Sequence, residues 1–72
     1  MKPDEARFGQ WVEYRGAAGE REQGRIKSWN NFVIFVVYKC AGEWDRFDQF
    51  TAQATMPDEL HIIDPPVDKG KP

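Results

Sequence analysis

The sequence has one cysteine, Cys40, and one histidine, His61. A single thiol closes no intramolecular disulfide, and this pair is too small a donor set for a structural zinc site. There is no glycine-rich phosphate loop: Gly16, Gly19 and Gly24 are spaced for turns and lack a following Lys-Ser or Lys-Thr. The longest apolar run, Phe32 to Tyr38, is far short of the roughly 20 residues that a membrane-spanning helix needs. Met1-Lys2-Pro3-Asp4-Glu5 is followed by no apolar stretch of the kind a secretory signal carries. Basic charge is not in excess either. Ten Lys and Arg face twelve Asp and Glu, for a net charge of −2, whereas a general nucleic-acid binder shows a basic surplus. No internal repeat is present. From these absences follow the expectations of a cytoplasmic protein in a reducing compartment, with no cofactor, no metal and no membrane contact.

Aromatic residues, in contrast, are plentiful: three Trp, five Phe and two Tyr in 72 residues. Disordered chains are poor in such residues, so the chain is expected to fold. A domain of this size buries only about 60% of the surface its unfolded chain exposes, and large side chains make that burial efficient.

The clearest local pattern lies in the middle. Gly24-Arg25-Ile26-Lys27-Ser28-Trp29 alternates with strand period, and Phe32 to Cys40 is rich in β-branched and aromatic residues. Asn30-Asn31 between them suits a two-residue type I′ turn, because Asn tolerates positive φ. Residues 24–40 therefore read as a β-hairpin in which Trp29 meets Phe32, Ile26 meets Phe35 and Ser28 meets Val33. That register puts Val33, Phe35 and Val37 inside. Ile34, Val36 and Tyr38 then form an outer set that needs a cover or a partner.

Upstream, Trp11–Arg15 alternates as a first strand, and residues 16–20 form a loop. Downstream, Ala41-Gly42 breaks the second hairpin strand. Trp44, Phe47 and Phe50 then recur every three residues, as on one side of a helical turn. Residues 51–55 read either as a fourth strand or as a continuation of that helix. Thr55 to Leu60 resembles a single turn with Thr55 as N-cap, and His61-Ile62-Ile63 a short last strand. This order matches a mainly β fold, a small SH3-like five-stranded barrel spanning residues 10–63. Residues 1–9 form a lead-in, and residues 64–72, rich in proline, a flexible tail. The alternative is an α+β arrangement, a three-stranded antiparallel sheet covered by one helix over residues 43–54.

The stretch Phe35-Val36-Val37-Tyr38-Lys39-Cys40, then Trp44-Asp45, then Phe50 through Leu60, resembles small, mostly uncharacterised proteins encoded in bacteriophage and prophage genomes. The likeness covers roughly residues 24–62. It implies a phage-related accessory protein in a bacterial cytoplasm and transfers no functional residue.

Three groups are candidates for function. Trp29, Phe32, Ile34 and Tyr38 share one hairpin face, with Trp44 and Phe47 near in sequence. They make either an exposed binding surface or, with Phe50 folded over, part of the core. Arg25 and Lys27 lie on the strand of Trp29, as a polar rim to that surface or as a basic and aromatic platform for single-stranded nucleic acid. Glu43, Asp45, Asp48, Asp58 and Glu59 serve loop solubility, or mimic a nucleic-acid backbone. Cys40 reads as a small apolar strand residue; as a nucleophile it would need His61 beside it. The expected function is a non-enzymatic protein-interaction module that binds a partner protein or itself through Trp29, Phe32, Tyr38, Trp44 and Phe47, with Arg25 and Lys27 at the rim. The alternative is a nucleic-acid-binding barrel using the same strand face.

Overall fold

A computed structural model describes residues 1–65. Five antiparallel strands form one sheet: β1 (Trp11–Arg15), β2 (Arg21–Trp29), β3 (Ile34–Val37), β4 (Gln53–Thr55) and β5 (Leu60–Ile62), in the spatial order β4-β3-β2-β1-β5. Three short 3-10 segments accompany them, Pro3–Glu5, Trp44–Gln49 and Pro57–Glu59. The fold is mainly β, with the element order expected of the small SH3-like barrel. No ladder joins β4 to β5 among the described residues, so the sheet is not closed by hydrogen bonds. The alternative with one helix over 43–54 does not occur. Trp44–Gln49 is a 3-10 segment broken at Arg46 (φ −121°, ψ 24°), and Gln53–Thr55 is a strand. The proposed tail, residues 64–72, lies outside the described residues from 66 onward.

Chain length rolls the sheet. Thr55 ends β4 and Leu60 begins β5, at opposite edges. Five residues of extended chain reach at most about 18 Å, and the Pro57–Glu59 turn shortens that, since a 3-10 segment rises only about 2 Å per residue. Outer strands of a flat five-stranded sheet would stand about 19 Å apart. The sheet must therefore curl until the end of β4 and the start of β5 come near one another. Val12, Ile26, Ile34, Val36 and Leu60 are fully buried and form one core with Ala6. Thr55 is no N-cap: Met56 occupies that position, and the Thr55 hydroxyl lies 2.8 Å from Tyr38 Oη.

The hairpin has a different register from the one a two-residue turn imposes. Arg25 pairs with Val37 and Ile26 with Val36, but Ser28 pairs with Phe35 and Trp29 with Ile34. The connection is a four-residue loop, Asn30 to Val33. Asn30 Oδ1 accepts hydrogen bonds from the backbone N–H of Phe32 (2.7 Å) and Val33 (2.9 Å), and Asn30 N–H donates to Val33 O (3.0 Å). Asn here uses its side chain to build the turn rather than its tolerance of positive φ; among the described non-glycine residues only Ala41 has positive φ. Lys27 is then the extra residue of a β-bulge between Ile26 and Ser28. A one-residue change of register turns every side chain to the other face. So Ile34 and Val36, expected outside, face the core beside Ile26, while Val33 and Phe35 are half-buried.

The opposite face of β3 has its own cover. Val37, Cys40 and Phe47 are buried together, with Trp44, Phe50 and Ala52 packed around them. The spacing of Trp44, Phe47 and Phe50 does mark a covering segment, but the side chains it covers are Val37 and Cys40. Cys40 sits in the bend after β3 rather than on a strand.

Residues 1–9, expected as a lead-in, pack against this body. Ala6 is part of the first core, and Met1 lies against it. The Met1 ammonium donates to Pro57 O (3.0 Å) and Leu60 O (2.9 Å), bonds that tie the chain's start to the link between β4 and β5.

Candidate functional site

The seven expected site residues separate into three places. Trp29 and Phe32 stand at the hairpin tip, 41% and 77% exposed. Their loop is held by the Asn30 carboxamide, so the aromatics project from an ordered turn. Phe32 has no assigned place in either core.

Trp44, Phe47 and Arg25 belong to the covering layer. The Arg25 guanidinium donates to Gly9 O (3.0 Å) and Trp44 O (2.7 Å). It lies 4.3 Å from the ring centre of Phe47 and 5.4 Å from that of Trp11. Trp11 packs against Trp44 (4.7 Å between ring centres), and Phe8 against Phe47 (5.3 Å). Arg25 is thus a bolt that ties β2 to two loops and spreads its charge over aromatic faces. Lys27, thrown outward by the bulge, donates to Phe50 O (2.9 Å). Both expected rim cations are engaged within the molecule. Phe47 is buried and Trp44 half-buried.

Tyr38 lies elsewhere, at the mouth of the rolled sheet. It forms one wall of a cavity of about 320 Å³ lined by Tyr14, Glu22, Tyr38, Gln53, Ala54, Thr55, Met56 and Glu59. The strand pattern places these groups. Tyr14 alternates with Val12 along β1 and so points to the same concave face. Glu22 is its partner across the β1–β2 ladder, and Leu60, next after Glu59, its partner across β1–β5. Tyr14 and Tyr38 meet edge to face, 6.3 Å between centres at 76°, and both rest on the first core. The Tyr38 hydroxyl is tied to Thr55.

The field in this cavity is negative. The Glu59 carboxylate, with some burial and the carboxylate of Glu20, pushes the Tyr14 phenol above its ordinary pKa of 10.0. Burial pushes Tyr38 up as well, with Glu22 and Glu59 adding to it and the Thr55 hydroxyl opposing. The carboxylates of Glu20, Glu22 and Glu59 act on the two phenols, the Tyr14 phenol acts on Tyr38, and no Lys or Arg is among the charges that shift them. A Cβ added at Gly16 would lie 2.8 Å from Tyr14 Oη and 2.7 Å from Glu20 Oε1, so Glu20 stands close to the same phenol. The ion pairs among the described residues, Arg15–Glu13 and Arg46–Glu43, involve none of Glu20, Glu22 and Glu59.

Of the acidic residues singled out in the sequence, only Glu59 reaches this cavity; Glu43 is paired with Arg46, and Asp45, Asp48 and Asp58 are exposed elsewhere. Tyr14 and Glu22 were not anticipated. Alternation with Val12 was the available signal for Tyr14. Glu22 lies between the expected loop at 16–20 and the expected start of the hairpin at Gly24, and is the second residue of β2, which begins at Arg21. Cys40 and His61 are kept apart: His61 is exposed on β5, with β1 and β2 between it and β3. Burial raises the Cys40 thiol above its ordinary pKa of 9.0, which suits a packing role. Among the described residues no three His, Cys, Asp or Glu side chains are grouped to hold a metal ion, and no helix is long and apolar enough to cross a membrane.

No protein-family model matches the chain, and no curated protein and no solved structure matches it.

Proposed function

We propose that this chain is a non-enzymatic interaction module that presents the Trp29–Phe32 hairpin tip to a partner protein. The observation that carries this reading is the exposure of two large aromatics on a turn already ordered by Asn30. Aromatic anchors dominate binding energy at protein interfaces, and a pre-ordered loop loses little freedom on binding. The alternative of nucleic-acid binding draws no support from Arg25 and Lys27, because backbone carbonyls already hold both cations. An accessory role in a phage or prophage setting is part of this proposal and rests on the residue pattern of 24–62 alone.

The test is capture of partners from bacterial lysate, with and without nuclease, by the full chain and by Phe32→Ser. Phe32 is exposed and outside both cores, so Phe32→Ser should change stability by no more than about 0.5 kcal/mol. A protein retained through nuclease treatment and lost with Phe32→Ser is the expected result. Equal capture by both chains, or capture abolished by nuclease, would refute the proposal.

A further inference from the structure

The cavity at the mouth of the sheet is a second site, separate from the hairpin tip and independent of the reading above. We propose that it binds one cationic side chain, lysine or arginine, carried on an extended segment of another protein.

Three observations converge on that occupant. The first is charge. Glu22 and Glu59 line the cavity, and Glu20 stands beside Tyr14. Among the described residues these carboxylates form no ion pair, and the lining contains no Lys or Arg. The second is the aromatic wall. Tyr14 and Tyr38 both line the cavity and meet edge to face at 76°, and an aromatic face attracts an ammonium or guanidinium. Rings also cover the aliphatic stem of such a side chain, and Met56 adds a further apolar group to the lining. The third is size. About 320 Å³ is at the low end for ligand cavities, which commonly run from about 300 to 1,000 Å³, and fits one long side chain better than a bulky molecule.

The neighbouring backbone says how that side chain arrives. Three of the lining residues, Gln53, Ala54 and Thr55, make up β4, an edge strand paired only to β3 among the described residues. An extended segment can lie along such an edge and pair with its outward backbone groups. Alternate side chains of that segment point to the face that β4 shares with the cavity. The edge thus supplies sequence-independent attachment, and the cavity selects the charge.

The test is a titration of the isotope-labelled full chain, followed by amide NMR shifts. The probes are the capped pentapeptides Ala-Ala-Arg-Ala-Ala and Ala-Ala-Lys-Ala-Ala, the neutral Ala-Ala-Gln-Ala-Ala, and methylammonium chloride. The basic peptides should move the resonances of Tyr14, Glu22, Tyr38 and residues 53–55, and bind at least about tenfold more tightly than the Gln peptide. Raising salt should weaken them, because the attraction is between partly exposed charges. Glu22→Gln and Glu59→Gln should each weaken the basic peptides about fivefold and leave the Gln peptide unchanged. Glu22 is exposed, so its variant keeps a folded spectrum against which the loss is read. Phe32→Ser should leave this binding intact, which separates the cavity from the hairpin tip. Equal binding of the Gln peptide, or full affinity in both glutamine variants, would overturn the site. Methylammonium binding as tight as the peptides would overturn the extended segment as occupant.

Discussion

Gly24→Ala sets two physical effects against each other at one atom. Gly24 is buried in β2, opposite Val12 of β1, and no left-handed conformation requires glycine there. On backbone grounds alone, Ala should stabilise by about 0.4–1 kcal/mol, since it restricts the unfolded chain. The packing says otherwise. An added Cβ would lie 2.6 Å from Val36 Cγ1, 2.6 Å from Val37 O and 3.0 Å from Tyr38 Cδ1. The valine methyl can turn away, but the carbonyl belongs to the β2–β3 ladder, in which Arg25 pairs with Val37. Overpacking of this kind costs about 1–3 kcal/mol. With the mid-values of the two effects, about 2 and 0.7 kcal/mol, the net expectation is a loss of about 1.3 kcal/mol, from a total that for 72 residues is about 4–11 kcal/mol. Each kcal/mol moves the midpoint of a domain this size by about 4–8 °C, so Tm should fall by roughly 5–10 °C. Urea and thermal melts followed by tryptophan fluorescence measure this. The double variant Gly24→Ala, Val36→Ala should lose less than the sum of the two single changes, because trimming Val36 removes one of the clashes. A Tm that is unchanged or raised in Gly24→Ala would refute the close approach of β2 and β3.

Ala41→Gly should stabilise the protein. Ala41 is exposed and held at φ +53°, a conformation that costs an L residue about 1–2 kcal/mol and glycine none. Glycine gives part of that back as chain entropy, so a gain of about 0.5–1 kcal/mol in a urea melt is the expected result, and a loss would contradict the turn conformation. Stability should also fall at alkaline pH. Cys40, Tyr38 and Tyr14 all have pKa values raised in the folded protein above 9.0 and 10.0, so the unfolded chain releases those protons first. The stabilisation is complete below pH 9 and is lost as pH rises through the ordinary thiol and phenol values. The urea midpoint should be level from pH 7 to about 8.5 and decline toward pH 11, with the part that begins near pH 9 removed in Cys40→Ala. A midpoint that stays level or rises over that range would contradict the burial of Cys40 and Tyr38 and the carboxylate field at Tyr14.

Alternation alone placed β1 at Trp11–Arg15 and marked the hairpin. Spacing alone marked Trp44, Phe47 and Phe50 as a cover, and residue types marked a single turn within Thr55–Leu60, which forms at Pro57–Glu59 with Met56 rather than Thr55 as its cap. These are consequences of period and propensity, which neighbouring residues carry by themselves. Register was decided elsewhere. The Asn30 side chain made a four-residue loop where backbone propensity suited two, and the Lys27 bulge added one residue more. Each choice depends on what side chains meet after folding: Lys27 reaches Phe50 O, Arg25 reaches Gly9 and Trp44, and Ile34 and Val36 find Val12 and Leu60. The cavity is more distant still from anything local. Tyr14 and Glu22 are ladder partners on β1 and β2, but Tyr38, just after β3, and Glu59, in the Pro57–Glu59 turn, join them only because a short link between β4 and β5 forces the sheet to roll. Sequence determined β1, the presence of the central hairpin and which residues are apolar. The rolled tertiary structure decided which cations were used up inside and which carboxylates were left facing an open aromatic corner, because electrostatic pairing depends on separation in space, and the sheet sets that separation.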